Sequence, residues 1–335
     1  MEVHREAGVT VRLAGTAPDG VVAVRGRTWT RCRSRSAPRS PSPRRSRGRA
    51  RLWPRPAHGD AARCSESPQG GAPAASHRAR VPAEGEESDR GALAVLEHAN
   101  LGFTGPANAF ALHVHALADP GEILWRPGVF MAYGDWFSID LAGPGGHASQ
   151  PQLVGNPIDA AGEITSALKV AVAELSEPEL VVATVTESRI GNTVNVIPAS
   201  GRLRGTMRSL SLGSRSALVE RMQRIVSDVA RAYELSGEVT IHEGYPAVVN
   251  DDAFTDRLIR RLGQGEDRLA LVRMAEPSMV IEDFAYFLQH WPGAMVYLGA
   301  RGAGNTSFNH SDDVVYDEGV LPIGAATHLL VADGI

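Results

Sequence analysis

Two rhythms of hydrophobic and polar residues run through this chain. In WFSIDLAG (136–143) apolar and polar positions alternate, the period of a half-buried strand. ELVVATVTESRI (179–190) and GRLRGTMRSL (201–210) also read as strands. NPIDAAGEITSALKVAVAEL (156–175) and SRSALVERMQRIVSDVARAYEL (214–235) instead repeat every three or four residues and predict amphipathic helices. Asn156 stands at a capping position, and Pro157 falls in the first turn, where its missing N–H costs nothing. GEVTIHEGYPAVVN (237–250) predicts a last strand. The order β-α-β-β-α-β is that of a ferredoxin-like domain, placed at residues 134–247.

The flanks follow another plan. GALAVLEHANL (91–101) has helical spacing, and ANAFALHVHAL (107–117) reads as a buried strand with histidines near its end. DDAFTDRLIRRLGQ (251–264) predicts a helix, AMVYLGA (294–300) a strand, and VLPIGAATHLLVA (320–332) a further helix. A polar loop, 301–319, lies between the last two. Strands and helices alternate on both sides of 134–247. The expectation is an α/β domain, residues 1–133 and 248–335, split by the smaller unit. Residues 1–25 read as two short strands around the turn TAPDG (16–20).

One segment breaks the pattern. Residues 25–59 hold a dozen arginines and no acidic residue. Residues 26–80 have almost no Val, Ile, Phe or Met, so they predict a disordered linker. Both cysteines, Cys32 and Cys64, fall here, and two thiols in such a stretch make no disulfide framework. Elsewhere the 335-residue chain is ordinary, with 43% hydrophobic residues and a net charge of −4. Lys169 is its one lysine, beside 33 arginines. That overall charge gives no reason to expect nucleic acid or membrane as partner. An Arg-rich arm that binds RNA by charge is the rival reading, but the run lies within a domain rather than at an end. No signal peptide and no bilayer-spanning run is evident, so a soluble cytoplasmic protein is expected.

Four places carry polar groups that a scaffold does not need. His113 ends an apolar strand, and His147 lies in the Gly-rich turn GPGGHASQP. Glu282 and Asp283 are adjacent in VIEDFAYF, and His310 lies in FNHSDD. Singly, such residues are more often satisfied or surface groups than ligands.

Together they are more specific. ALHV, GGHAS with Pro151 and NPID, NTVNVIP, GTMRS, EDFAYF and NHSDDVVYDEGVLPIGA occur in this order. The sequence resembles the di-metal amidohydrolases and peptidases that include aminoacylase, hippurate hydrolase, carboxypeptidase G and the hydrolases of auxin–amino acid conjugates. The resemblance covers residues 91–335, with a fainter trace in 7–25. It implies a zinc-peptidase-like catalytic domain with an inserted ferredoxin-like lid that dimerises. It implies two divalent ions (zinc, manganese or cobalt) and a small N-acyl amino acid or related amide as substrate. His113, His310 and Glu87 are then metal ligands, and Glu86 is the proton-relaying catalytic carboxylate. His147 reaches the active site, often of a partner subunit, to polarise the scissile carbonyl. Asn195 and Arg208 meet the substrate's carboxylate end. Two metals about 3.5–4 Å apart suit amide hydrolysis by activated water.

The resemblance also implies a His-Ala-Cys-Gly-His-Asp motif, a Phe-Gln-Pro-Ala-Glu-Glu motif and an Arg-Ala-Asp-Met-Asp-Ala-Leu-Pro strand between residues 25 and 90, and helices ahead of GVTVR. None of the three stands intact there. We read the segment as family sequence out of frame. CAC GCC TGT GGC CAC GAC CAG CTC encodes His-Ala-Cys-Gly-His-Asp-Gln-Leu, and from its third base it encodes RLWPRPA, residues 51–57. GAC ATG GAC GCG CTG CCG ATC, read from its second base, encodes TWTRCR, residues 28–33. The offsets differ, so more than one insertion or deletion is implied. The normal frame returns near Glu84, leaving Glu86 and Glu87 as the glutamate pair. Two further readings follow from the lost motifs: a non-catalytic dimerising remnant, and a hydrolase working with a reduced metal set.

Overall fold

The computed structural model describes residues 2–4, 8–15, 20–25, 76–82, 91–98, 107–264 and 269–334. Most of the Arg-rich stretch, both cysteines, Glu86 and Glu87 lie outside the described residues. In chain order the elements begin with β1 (Glu2–His4), β2 (Gly8–Gly15), β3 (Gly20–Arg25) and β4 (Ser76–Pro82). Helix α1 (Gly91–His98) precedes β5 (Ala107–His115), β6 (Glu122–Trp125) and β7 (Gly128–Met131). Next come β8 (Tyr133–Ala142), β9 (Gly146–His147), α2 (Pro157–Leu175), β10 (Val182–Ile190), β11 (Val196–Ile197) and β12 (Ser200–Ser209). Helix α3 (Leu212–Ala232), β13 (Ser236–Tyr245), β14 (Val248–Asn250), α4 (Asp252–Leu262) and β15 (Ala270–Arg273) follow. Then come α5 (Ala285–Leu288), β16 (Gly293–Gly299) and α6 (Leu321–Ala332).

The architecture is mixed α/β. Eight strands form the main sheet in the order β1-β2-β4-β3-β5-β16-β6-β15. β5 runs parallel to both β3 and β16, and β16 is buried along its whole length. Strands covered on both faces read as nearly continuous apolar runs, which is why AMVYLGA shows no alternation. The period of two still sorts side chains by face. Ala109, Ala111, Met295 and Tyr297 join Phe130, Phe284 and Phe287 in one core. Phe110, Leu112, Val296 and Leu298 join Ile123, Phe254 and Leu258 in another. His113, an odd position of β5, therefore shares a face with Tyr297.

The second sheet is antiparallel throughout, in the order β10-β12-β8-β13. Its inward residues Phe137, Ile139, Leu141, Leu203 and Met207 pack with Ile164 and Leu168 of α2 and Leu218, Met222 and Val226 of α3. The Asn156 side chain accepts from the Ile158 amide, capping α2 as its position predicts. Ser211 caps α3 reciprocally with Ser214. Near the start of β8, the buried Asp135 carboxylate takes two hydrogen bonds from Arg215, at 2.7 and 3.1 Å, and one from the Gly244 amide at 3.2 Å.

The structure corrects several boundaries. The stretch read as disordered to residue 80 ends earlier, because Ser76–Pro82 forms β4, paired with both β2 and β3. A ladder between two neighbours satisfies its backbone groups without an apolar sequence. GEVTIHEGYPAVVN is two strands, not one: β13 joins the small sheet, while β14 pairs with β7 in a separate ribbon. The four-residue strands β6, β7 and β15 have no counterpart in the sequence reading.

Candidate active site

His113 lies near the end of β5, which runs parallel to β16, and His310 lies in the loop after β16. Burial lowers the pKa of His113 first of all, and charge on His310 and His115 lowers it further. His310 has φ 68, in the left-handed region that few non-glycine residues adopt and where histidine is among the more frequent. Such backbone is held only where the surroundings impose it.

Two neighbours of His113 carry no assignment in the sequence reading. Tyr297 lies opposite His113 in the β5–β16 register and meets its ring edge-on, centroids 6.0 Å apart. Burial pushes its hydroxyl pKa up to about 12, and it donates to Ser278 Oγ at 3.3 Å. His115 packs edge-on against Tyr297 at 5.0 Å and Phe308 at 5.3 Å. The period of two already places His113 and His115 on one face; Tyr297 becomes visible only once the register is known.

His147 and Asn195 form a second group. β9 pairs with β11, setting His147 opposite Val196, and the Ala148 amide donates to the Asn195 carbonyl at 3.1 Å. Thr193 donates to Asn195 Oδ1 at 3.1 Å, and both His147 and Asn195 are exposed. Arg208 lies elsewhere. It pairs with Gly134 in the β12–β8 register, and Nη1 donates to the Met207 carbonyl at 2.8 Å. Burial lowers its pKa and the Asp135 charge partly restores it. An ideal Cβ on Gly134 would fall 2.4 Å from Ile281 and 3.3 Å from Arg208 Nη1, so a side chain there would force the Ile281 side chain to shift. From Ser200, beside the His147 group, to Arg208 is eight residues of strand, about 26 Å. Asn195 and Arg208, expected to grip one carboxylate, are therefore not brought together within one chain.

Glu282 and Asp283 are buried next to Ile281. Asp283 Oδ2 accepts from the Ala92 amide at 2.7 Å, satisfying one open donor in the first turn of α1. Burial pushes the Asp283 carboxyl above its ordinary value, while hydrogen bonds from Ala92 and Glu282 oppose the shift. A raised acid favours the fold most below its unfolded value of 3.8, and this contribution is lost as pH rises through the folded value. Asp283→Asn should remove that part of the pH dependence, read from urea unfolding of parent and variant across pH. Asp283→Ala removes the same titration and, at low pH, should cost about 1–3 kcal/mol by orphaning the Ala92 N–H. Parallel profiles for parent and Asp283→Asn would assign the slope to another group.

Among the described residues, no group of three or more His, Cys, Asp or Glu side chains is placed to hold a metal ion. His113 and His310 are two donors, and a tetrahedral ion takes four ligands. On the described residues alone, the donor set does not fit a two-metal centre.

The sequence profile of Peptidase family M20/M25/M40 matches residues 79–333. This chain belongs to that family. The M20 match begins after the Arg-rich stretch and takes in both groups of candidate residues. Thermostable carboxypeptidase 1 of Saccharolobus solfataricus is 33% identical over 255 residues, 75% of this chain and 63% of that protein. N-acetyldiaminopimelate deacetylase of Bacillus subtilis is 32% identical over 216 residues, 64% of this chain and 57% of that protein. A solved Bacillus subtilis structure, described as a dinuclear metal binding peptidase of the M20 family, is 28% identical, with a TM-score of 0.62. That likeness covers 77% of this chain and 64% of the other. The chain thus spans less than two thirds of the length of each of these relatives.

Proposed function

We propose that this chain is a metal-dependent amide hydrolase for N-acyl amino acids or related conjugates, slowed by the loss of its N-terminal motifs. The observation that carries the reading is the M20 match over residues 79–333, which takes in His113 on β5 and His310 in the loop after β16. On this reading His113, His310 and Glu87 hold divalent ions (zinc, manganese or cobalt), and Glu86 moves the proton. The Arg-rich stretch is family sequence out of frame, supported by a match that starts at residue 79.

Residues 134–247 are, on the same reading, a ferredoxin-like lid inserted into a catalytic domain of residues 1–133 and 248–335. The strand order β10-β12-β8-β13 supports it. The lid is also where two chains join. His147 and Asn195 lie at the end of the small sheet remote from Arg208, so a two-fold dimer can offer them to the partner's catalytic domain. There His147 polarises the substrate carbonyl, and Asn195 with Arg208 meets the carboxylate end. A cytoplasmic location fits the described helices, none of which is long and apolar enough to cross a membrane.

A non-catalytic dimerising remnant is the second reading, favoured by the incomplete donor set among the described residues. One assay separates the two. The chain is loaded with zinc, manganese or cobalt and given a panel of N-acyl amino acids, with and without a chelator. Slow hydrolysis that the chelator abolishes is expected. Hydrolysis indifferent to the chelator overturns the metal-dependent reading. A folded dimer with no turnover supports the remnant.

A further inference from the structure

Hydrogen bonds around two of the candidate histidines settle which ring nitrogen carries the proton, and they settle it in opposite ways. His113 Nδ1 lies 2.7 Å from the Val114 carbonyl oxygen. A carbonyl only accepts, so Nδ1 carries the hydrogen and the lone pair of the neutral ring is left on Nε2. At His147 the Ser149 amide reaches Nδ1 at 3.1 Å. A backbone amide only donates, so here Nδ1 holds the lone pair. Ser149 Oγ is 2.8 Å from the same nitrogen and must donate as well. With two donors converging on Nδ1, the neutral ring keeps its hydrogen on Nε2.

The loop is built to hold this arrangement. The Gln150 amide donates to the His147 carbonyl at 3.0 Å and closes a tight turn over Ser149. The β9–β11 pairing fixes the turn from the other side. Gly145, at φ 65, admits the approach, since a Cβ there would lie 3.0 Å from the Ala199 nitrogen.

We propose that Ser149 is a positioning residue that holds His147 as an Nε2–H donor, so that the ring gives a hydrogen bond to the substrate's carbonyl oxygen and does not act as a base. The proposal rests on the reading of His147 given above and adds what makes it a donor. Protonation of the ring leaves Nε2–H in place, so the donor role survives in both charge states. A general-base role would need the lone pair on Nε2, which the two Ser149 contacts oppose.

The test uses the full chain labelled with 15N-histidine, together with Ser149→Ala and Ser149→Thr. Nitrogen chemical shifts report the His147 tautomer directly. The parent is expected to show a protonated Nε2. Ser149→Ala should populate the other tautomer measurably, and Ser149→Thr should restore the parent pattern. In the amide-hydrolysis assay, Ser149→Ala should lower kcat about tenfold with KM changed less than about twofold, and Ser149→Thr should recover it. A parent with Nδ1–H, or a Ser149→Ala tautomer identical to the parent's, overturns the proposal. If no chain turns over, the hydrolase reading fails, while the tautomer comparison still decides the role of Ser149.

Discussion

Restoring the reading frame across residues 25–90 should raise metal-dependent amide hydrolysis by orders of magnitude over the chain as it stands. His113 and His310 are two imidazoles, and a two-metal centre would need more donors than these. Carboxylates and histidines of the missing motifs supply them in the family the sequence resembles. A site short of donors would hold its ions weakly, so only a small share of the chains would carry the metal that hydrolysis needs. Metal uptake should recover first and turnover second. The experiment compares both proteins loaded with zinc, manganese or cobalt, measuring bound metal and rate. Equal rates, both abolished by a chelator, would show that the altered segment was never needed, and the out-of-frame reading would fall.

Gly293→Ala should abolish the folded state or cost more than about 4 kcal/mol. Gly293 opens β16 directly beside Ala109 of β5. An ideal Cβ there would fall 1.9 Å from the Ala109 carbonyl oxygen and 2.7 Å from its carbon. The neighbour is backbone in the middle of a sheet, so it cannot rotate away as a side chain could. β6 is bonded to the other edge of β16 at Tyr297 and Leu298, which limits how far β16 can retreat. The damage reaches the site, since Tyr297 faces His113 through the same register. Gly162→Ala is the control. It lies in α2 with nothing within 4 Å of an added Cβ, and should stabilise by about 0.5–1 kcal/mol. Soluble yield and urea unfolding decide the matter. A Gly293→Ala protein as stable as its parent would mean that the β5–β16 register is wrong.

What could be read in advance follows from the length and period of each element. α2, α3, β8 and β12 are long enough to show their period, and the cap at Asn156 was visible as a residue type. β6, β7 and β15 are four residues each, too short for any period to declare itself. β4 was hidden because its sequence carries no apolar run, only backbone that two neighbours can bond. His113, His147 and His310 stand out locally as polar groups that a scaffold does not need, and only the resemblance gives them roles. Tyr297 did not, because its place beside His113 depends on the offset between strands separated by most of the chain. Ser149 lay in plain view within GGHAS, yet its role comes from a turn that folds its amide and hydroxyl onto one nitrogen.

The ribbon of β7 and β14 is a narrow neck. β7 leads into the small sheet and β14 leads out of it, with Val248 opposite Met131. Just beyond, Tyr245 lies opposite Gly134, so the chain enters and leaves through neighbouring strands about 5 Å apart. An ancestor could acquire, trade or discard the whole small sheet by mending one short seam. Drift on one side of that seam need not corrupt the other.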